Sequence, residues 1–286
     1  MLYPQNALLG AALIVAAELL FATMGAAVKA ASVGLPNEMI VFFRNAIATL
    51  LLLPLALNQG GLDNLKTRIP HWHLLRAGIG LSAMYCFFFA LGHLALAEGM
   101  ILKMTTPLFM PLFAWLLLRE TSPPIVLIAI PIGFAGVWAV LDPTGAFNWV
   151  SLVGLAGGAL AALAKAALRR LGRSEPVART VFYFAALSSV ISSIPLIWAW
   201  VTPSAQQLGL LALLACAGTG GQLLMTRAYA IGEASRIGAF TYCSVLFGAG
   251  YGYIFWQETL SQQFVIGAFL IALAGVLALQ KRRTIK

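Results

Sequence analysis

Long apolar runs follow one another almost from end to end of this chain, separated by short polar punctuation. Ten runs read as helices, at about 7–31, 38–57, 73–95, 99–118, 124–141, 149–169, 180–201, 206–230, 234–256 and 262–280. Most are close to the roughly 20 residues that a helix needs to cross about 30 Å of hydrocarbon. The breaks are turn material: Pro36-Asn37, Asn58-Gln59-Gly60-Gly61, Pro123-Pro124, Asp142-Pro143-Thr144-Gly145 and Thr202-Pro203-Ser204. No stretch alternates in polarity over about ten residues, as a barrel strand does. The loops leave no room for a soluble domain.

The pattern repeats. Residues 105–121 (TTPLFMPLFAWLLLRET) return 138 positions later as 243–259 (CSVLFGAGYGYIFWQET). Leu108/Leu246, Phe109/Phe247, Glu120/Glu258 and Thr121/Thr259 are identical at that offset, and Phe113/Tyr251 and Trp115/Tyr253 keep a ring. Pro36 matches Pro176, and Ala-Gly-Val at 135–137 matches 274–276, at offsets of 140 and 139. The expected organisation is therefore two five-span units, 1–146 and 147–286. Five is odd, so the second unit enters the membrane from the opposite side, as an inverted repeat. Each copy of the paired stretch carries helix breakers. Pro107 and Pro111 in the first, and Gly248 and Gly250 in the second, are candidate gating positions, with unequal bending of the two helices expected.

Composition agrees. The 286 residues are 61% hydrophobic and 9% charged, with a mean hydropathy of +0.91. Soluble domains carry about 45–50% apolar and 25% charged residues. The net charge of +9 does not point to nucleic acid, because the basic residues sit in short loops. With the N-terminus on the cytoplasmic side, fourteen Lys and Arg fall inside and only Lys29 and Lys103 outside, leaving Arg44 and Lys165 within spans. That bias places both termini in the cytoplasm of a multi-pass plasma-membrane protein, bacterial inner membrane being the expected home. Cys86, Cys216 and Cys243 lie in apolar runs without metal-ligand spacing.

Glu18 is the most informative charge. It lies about 16 Å along the first span, near the midplane, where a carboxylate faces a partner or a wet cavity. It is a candidate for a substrate ammonium or a proton, or for a structural hydrogen bond. Lys165 is a candidate carboxylate anchor, although one turn before Arg169 it could also snorkel out. Arg44 is read as a partner for loop carbonyls or Glu38. His93, Glu98 and Lys103 form an expected charge group at one membrane face, and His71 and His73 flank Trp72 as interfacial anchors. Polar and aromatic residues within spans complete the candidate set: Met24, Ser82, Tyr85, Thr105, Thr106, Gln222, Met225, Thr241, Tyr242 and Ser244. Few polar groups among rings and methionines suit an amphipathic small molecule. Each also has a plain role as helix–helix glue.

The chain has no G-x-x-x-x-G-K-[ST], H-E-x-x-H or G-x-S-x-G motif. An ATP-driven motor and a membrane-embedded enzyme are therefore not expected, and no cofactor or metal is. A membrane-embedded enzyme and a channel remain as the different-class alternatives.

The two five-span halves, the closing LLLRET and IFWQET, and the Gly-Ala-Phe-Leu-Ile-Ala-Leu-Ala-Gly-Val run at 267–276 together resemble the drug/metabolite transporter superfamily, its ten-span EamA-like branch. Val245 and Ala249 depart from it, standing where the first half has Pro107 and Pro111. The resemblance implies an all-α membrane protein of ten transmembrane helices around a central cavity. Spans one, three, four, six, eight and nine would line it. It also implies a secondary transporter of small amphipathic metabolites working by alternating access in the lipid bilayer. Export of aromatic or apolar amino acids is the leading expectation, with multidrug or nucleotide-type transport as the alternative. Proton coupling stays open, and no partner protein is required. Tyr85 and Tyr242 would hold the apolar body of the substrate.

Overall fold

The structure, a computed structural model, describes residues 7–57, 65–118, 124–141, 148–171, 174–231 and 238–279. Among these residues the chain is helical throughout, with no strand. The helices are α1 (Ala7–Ala31), α2 (Asn37–Leu57), α3 (Pro70–His93), α4 (Leu96–Lys103), α5 (Thr106–Leu118) and α6 (Pro124–Leu141). They continue with α7 (Trp149–Leu171), α8 (Val177–Ser193), α9 (Leu196–Ala199) and α10 (Ala205–Ile231). A 3-10 turn, Gly238–Tyr242, then leads into α11 (Cys243–Trp256), and α12 is Gln262–Leu279. Five of them (α1, α2, α3, α7 and α10) contain stretches long and apolar enough to cross a membrane. Exposed apolar side chains such as Trp138, Ile197, Phe255 and Phe269 are those of a protein solvated by lipid.

Prolines set several boundaries. Pro70 and Pro124 open α3 and α6, where a missing N–H costs nothing. Ile194-Pro195 ends α8 and divides the expected seventh span into α8 and α9. The fourth expected span is also divided, at Met104-Thr105, between α4 and α5. Pro107 cannot donate to the Lys103 carbonyl. The Thr106 hydroxyl takes that carbonyl instead at 2.7 Å, and Thr105 Oγ1 takes the Leu102 carbonyl at 2.6 Å.

The second stretch differs from the sequence expectation. The helix runs unbroken through Gly248 and Gly250, and the irregular segment is the 3-10 turn before them. Gly248 serves contact: a Cβ there would meet Met100 and the backbone of Ala97 on α4. Pro111 likewise sits inside continuous α5. The irregularities therefore fall at 104–105 and 238–242. Arg119, Glu120 and Thr121 lie outside the described residues.

The most extensive packing is α1 on α10, α6 on α12, α3 on α7 and α2 on α8, with α5 on α7 and α1 on α11 next. The α6–α12 seam is the closest. A Cβ on Gly136 would stand 2.7 Å from the Gly267 carbonyl oxygen, and one on Gly267 2.6 Å from that of Gly136. Without apolar transfer to drive them together in lipid, helices associate through such close backbone approach.

Candidate functional site

Five elements converge on Glu18. Its side chain is 1% exposed, at the centre of α1. Lys103, in the last turn of α4, and Lys165, on α7, both act on its carboxylate, and the Ser244 hydroxyl of α11 lies against it. That hydroxyl hydrogen can go to Glu18 or to the Thr241 carbonyl at 2.9 Å. Tyr229 of α10 is also within electrostatic reach. Glu18 Oε2 has no hydrogen-bond partner among the described residues. The Lys103 ammonium lies over two rings, 4.7 Å from the centroid of Phe21 and 5.0 Å from that of Phe87. Lys165 leaves much of its surface exposed, while Glu18 is buried. Two ammonium groups against one carboxylate leave a positive surplus flanked by aromatic walls.

The other sequence candidates are distributed. Met24 is buried on α1 six residues beyond Glu18. Thr105 and Thr106 are buried, with hydroxyls committed to the bend described above. Ser82 is exposed and donates to the Gly78 carbonyl of its own helix at 3.0 Å. The Tyr85 hydroxyl is buried without a partner among the described residues, and Glu38 is the charge it feels. Tyr242 points elsewhere than expected. Its hydroxyl lies 3.4 Å from the Ile271 carbonyl oxygen and fills the space left by Gly275 on α12. Met225 packs beside Ile14 and Ala228, and Gln222 lines a separate pocket with Arg44. Among the described residues Arg44 bonds no loop carbonyl; its Nη1 donates to Asn45 Oδ1 at 3.0 Å.

The expected group of His93, Glu98 and Lys103 is not one cluster. Lys103 turns inward to Glu18, whereas His93 stacks on Phe89 at 4.2 Å. Glu98 instead feels Glu258 and Lys29. Lys29, near the end of α1, pairs with Glu258 Oε1 and donates to the Leu94 carbonyl, and Glu258 Oε2 accepts from the Leu96 N–H at 2.8 Å. Gln257, at a left-handed φ of 57°, turns the chain so that Glu258 folds back over Gly252, where any Cβ would collide with its carboxylate. This clasp ties α1, the α3–α4 turn and the end of α11 together. The sequence signal for it was the repeated glutamate of LLLRET and IFWQET.

A second clasp closes the opposite end. Glu175, before α8, accepts from Thr67 at 2.7 Å and from Arg179 at 2.6 Å, with His73 Nε2 at 3.9 Å. His73 is 1% exposed and stacks on Tyr183 at 4.5 Å, so it is not an interfacial anchor as its place beside Trp72 suggested. Burial pushes the Glu175 carboxyl up, but the bonds from Thr67 and Arg179 and the charges of Arg179 and His73 outweigh it and hold the group below its ordinary value. A depressed folded-state value stabilises the fold above the unfolded value of about 4.3. That contribution is lost as pH falls through the folded value. Thermal unfolding of Glu175→Gln in detergent should show a loss of about 1–3 kcal/mol at pH 7. The gap from the parent should close in acid; an equal gap at every pH would leave the charge without a part in the clasp.

The chain belongs to the EamA-like transporter family: the family model matches it twice, at residues 8–141 and 148–280. It is thus a membrane transporter of the drug/metabolite transporter superfamily. It is 34% identical over 271 residues to the pseudopaline exporter of Pseudomonas aeruginosa strain UCBPP-PA14, covering 93% of this chain and 94% of that one. A riboflavin transporter of Vibrio cholerae is 26% identical, with 94% of this chain and 92% of that one covered. An S-adenosylmethionine uptake transporter of Rickettsia prowazekii is 26% identical, covering 81% and 79%. One solved crystal structure shares the fold, with a TM-score of 0.65 over 96% of this chain and 97% of that one at 18% identity.

Proposed function

We propose that this protein is a secondary transporter that exports a small zwitterionic metabolite by alternating access. The observation that carries this reading is the Glu18–Lys103–Lys165 cluster, a carboxylate with a free oxygen beside two ammonium groups and aromatic walls. Glu18 suits a substrate ammonium or a transported proton, and the lysines suit a substrate carboxylate. Phe21, Phe87 and Tyr229 suit an apolar body, which favours an aromatic or large apolar amino acid. A second reading, a metabolite of the pseudopaline kind, is favoured by the 34% identity to that exporter along nearly the whole chain.

Ten crossings in two inverted units are part of this reading. Each family match holds five crossings when α4–α5, α8–α9 and the 3-10 turn with α11 each count as one. The packing partners also exchange in pairs: α1 on α10 answers α7 on α3, and α1 on α11 answers α7 on α5. Both termini then lie in the cytoplasm of a bacterial inner membrane, the Lys29–Glu258 clasp faces outward and the Glu175 clasp inward. Residues 104–105 and 238–242 are the places where the helices can change angle.

Counterflow in proteoliposomes tests the reading, across phenylalanine, leucine, pseudopaline, nucleosides and cationic drugs, with and without a pH gradient. Saturable exchange is expected for substrates that carry both an ammonium and a carboxylate. Exchange confined to cations without a carboxylate would sink the zwitterion reading, and flux that never saturates would make the protein a channel. Stimulation by the gradient would assign the proton to Glu18.

A further inference from the structure

A second, small pocket lies among α2, α3, α8 and α10, with a cavity volume of about 50 Å³. Its polar lining is Arg44, Arg76, Thr219 and Gln222; the rest is apolar, including Phe184. Arg76 Cζ stands over the Phe184 ring, 3.9 Å from its centroid. Arg76 Nε and Nη1, Arg44 Nε and Thr219 Oγ1 are buried without a hydrogen-bond partner among the described residues. Among the described residues its lining has no carboxylate. Buried charges in a span are paired or mark the path of a substrate, and these two guanidinium groups repel each other. Guanidinium forks fit a planar two-oxygen anion, and Arg–Phe stacking leaves the fork's edge free for it.

The pocket adjoins the Glu18 site. A Cβ on Gly218 would meet Met24 Sδ on one side and stand 3.8 Å from Arg44 Nε on the other. Met24 is six residues from Glu18 on α1, or about 9 Å along the axis. Arg44 and Lys103 feel each other. Lys165, Lys103, Arg44 and Arg76 thus form a chain of four cations, and Glu18 acts on the first two of them.

We infer that Arg44 and Arg76, with Thr219 and Gln222, form an anion subsite for a second carboxylate of the transported substrate. It rests on the transport reading above for its biological use, but not for its chemistry. The substrate it selects carries at least two anionic groups.

The test is thermal unfolding of the purified full chain in phosphatidylcholine nanodiscs. Sulfate and succinate serve as probes against chloride at equal ionic strength. Both should raise the melting temperature by about 2–5 °C at saturation. Arg76→Gln and Arg44→Gln should abolish the rise, and exposed Arg68→Gln should keep it. Arg76→Lys, which keeps the charge but loses the fork, should retain only part. Without anion, Arg76→Gln should melt no lower than the parent, because it removes an unpaired buried charge; a large drop would make Arg76 structural. A rise that survives both glutamine substitutions would place the anion elsewhere and overturn the subsite. A rise seen only when phosphatidylglycerol replaces part of the lipid, with none from succinate, would assign the pocket to a lipid headgroup and overturn it as well. Anion binding without counterflow would leave the subsite standing and remove the transport reading.

Discussion

Glu18→Gln is expected to cut counterflow of the transported zwitterion by about 30-fold or more, with little change in melting temperature. Truncating one member of a buried charge cluster costs about 2–5 kcal/mol of binding, and each 1.4 kcal/mol is roughly a factor of ten. Gln keeps the shape of the side chain, so α1 should still pack on α10. The charge is what disappears, leaving Lys103 and Lys165 to repel each other with nothing between them. Adding Lys103→Met to Glu18→Gln should remove that repulsion without restoring transport. A Glu18→Gln protein with unaltered KM and maximal rate for every substrate would show that the carboxylate only holds α1 in register.

The second large effect is expected at Glu258. Glu258→Gln breaks the pair with Lys29 and weakens the acceptor for the Leu96 N–H. The partners are about 15% exposed, which tempers the loss to about 1–3 kcal/mol. Under the alternating access proposed above, that sum acts on the equilibrium between two closed ends, by roughly 10-fold. Hydrogen exchange at Leu96 and the following turn of α4 should quicken by about that factor, while the amides around Glu175 slow. Lys29→Met combined with Glu258→Gln should be milder than either alone, since no unpaired charge is left behind. Uniformly faster exchange throughout the chain would instead report general loosening, and the clasp would not be a gate.

Much of this could be read from the chain. Apolar runs and prolines placed nearly every helix, because in lipid the backbone must satisfy itself and proline is what interrupts that. Glu18 was visible because a carboxylate deep in a span has few explanations. Direction about a helix axis was not visible. Lys103 and Glu98 are five residues apart on α4, and spacing alone suggested one face with His93. Where α4 stops, at Met104, decides that Lys103 is in the last turn and turns toward α1 while Glu98 looks to Glu258. Tyr242 is similar: its neighbours Thr241 and Ser244 suggested a cavity wall, but the gap at Gly275, 33 positions away, captures its hydroxyl. The glycines at 248, 250 and 252 read as weakness. Gly248 and Gly252 are instead places where Met100 and Glu258 come close, a use that only the neighbour reveals, while Gly250 faces open space. The clasps were hidden for the same reason, since Lys29 and Glu258 are 229 residues apart.

The hydroxyl of Thr106 on the Lys103 carbonyl makes the bend and the charge one mechanical part. Residue 103 ends α4, and residues 104–105 are all that separates it from α5. A ligand that draws the Lys103 ammonium toward or away from Glu18 therefore pulls on the same peptide that fixes the angle of α5. With Lys103 as the proposed sensor and 104–105 as the proposed joint, the two are adjacent, so recognition of cargo would need no relay through the bundle to become a change of helix direction.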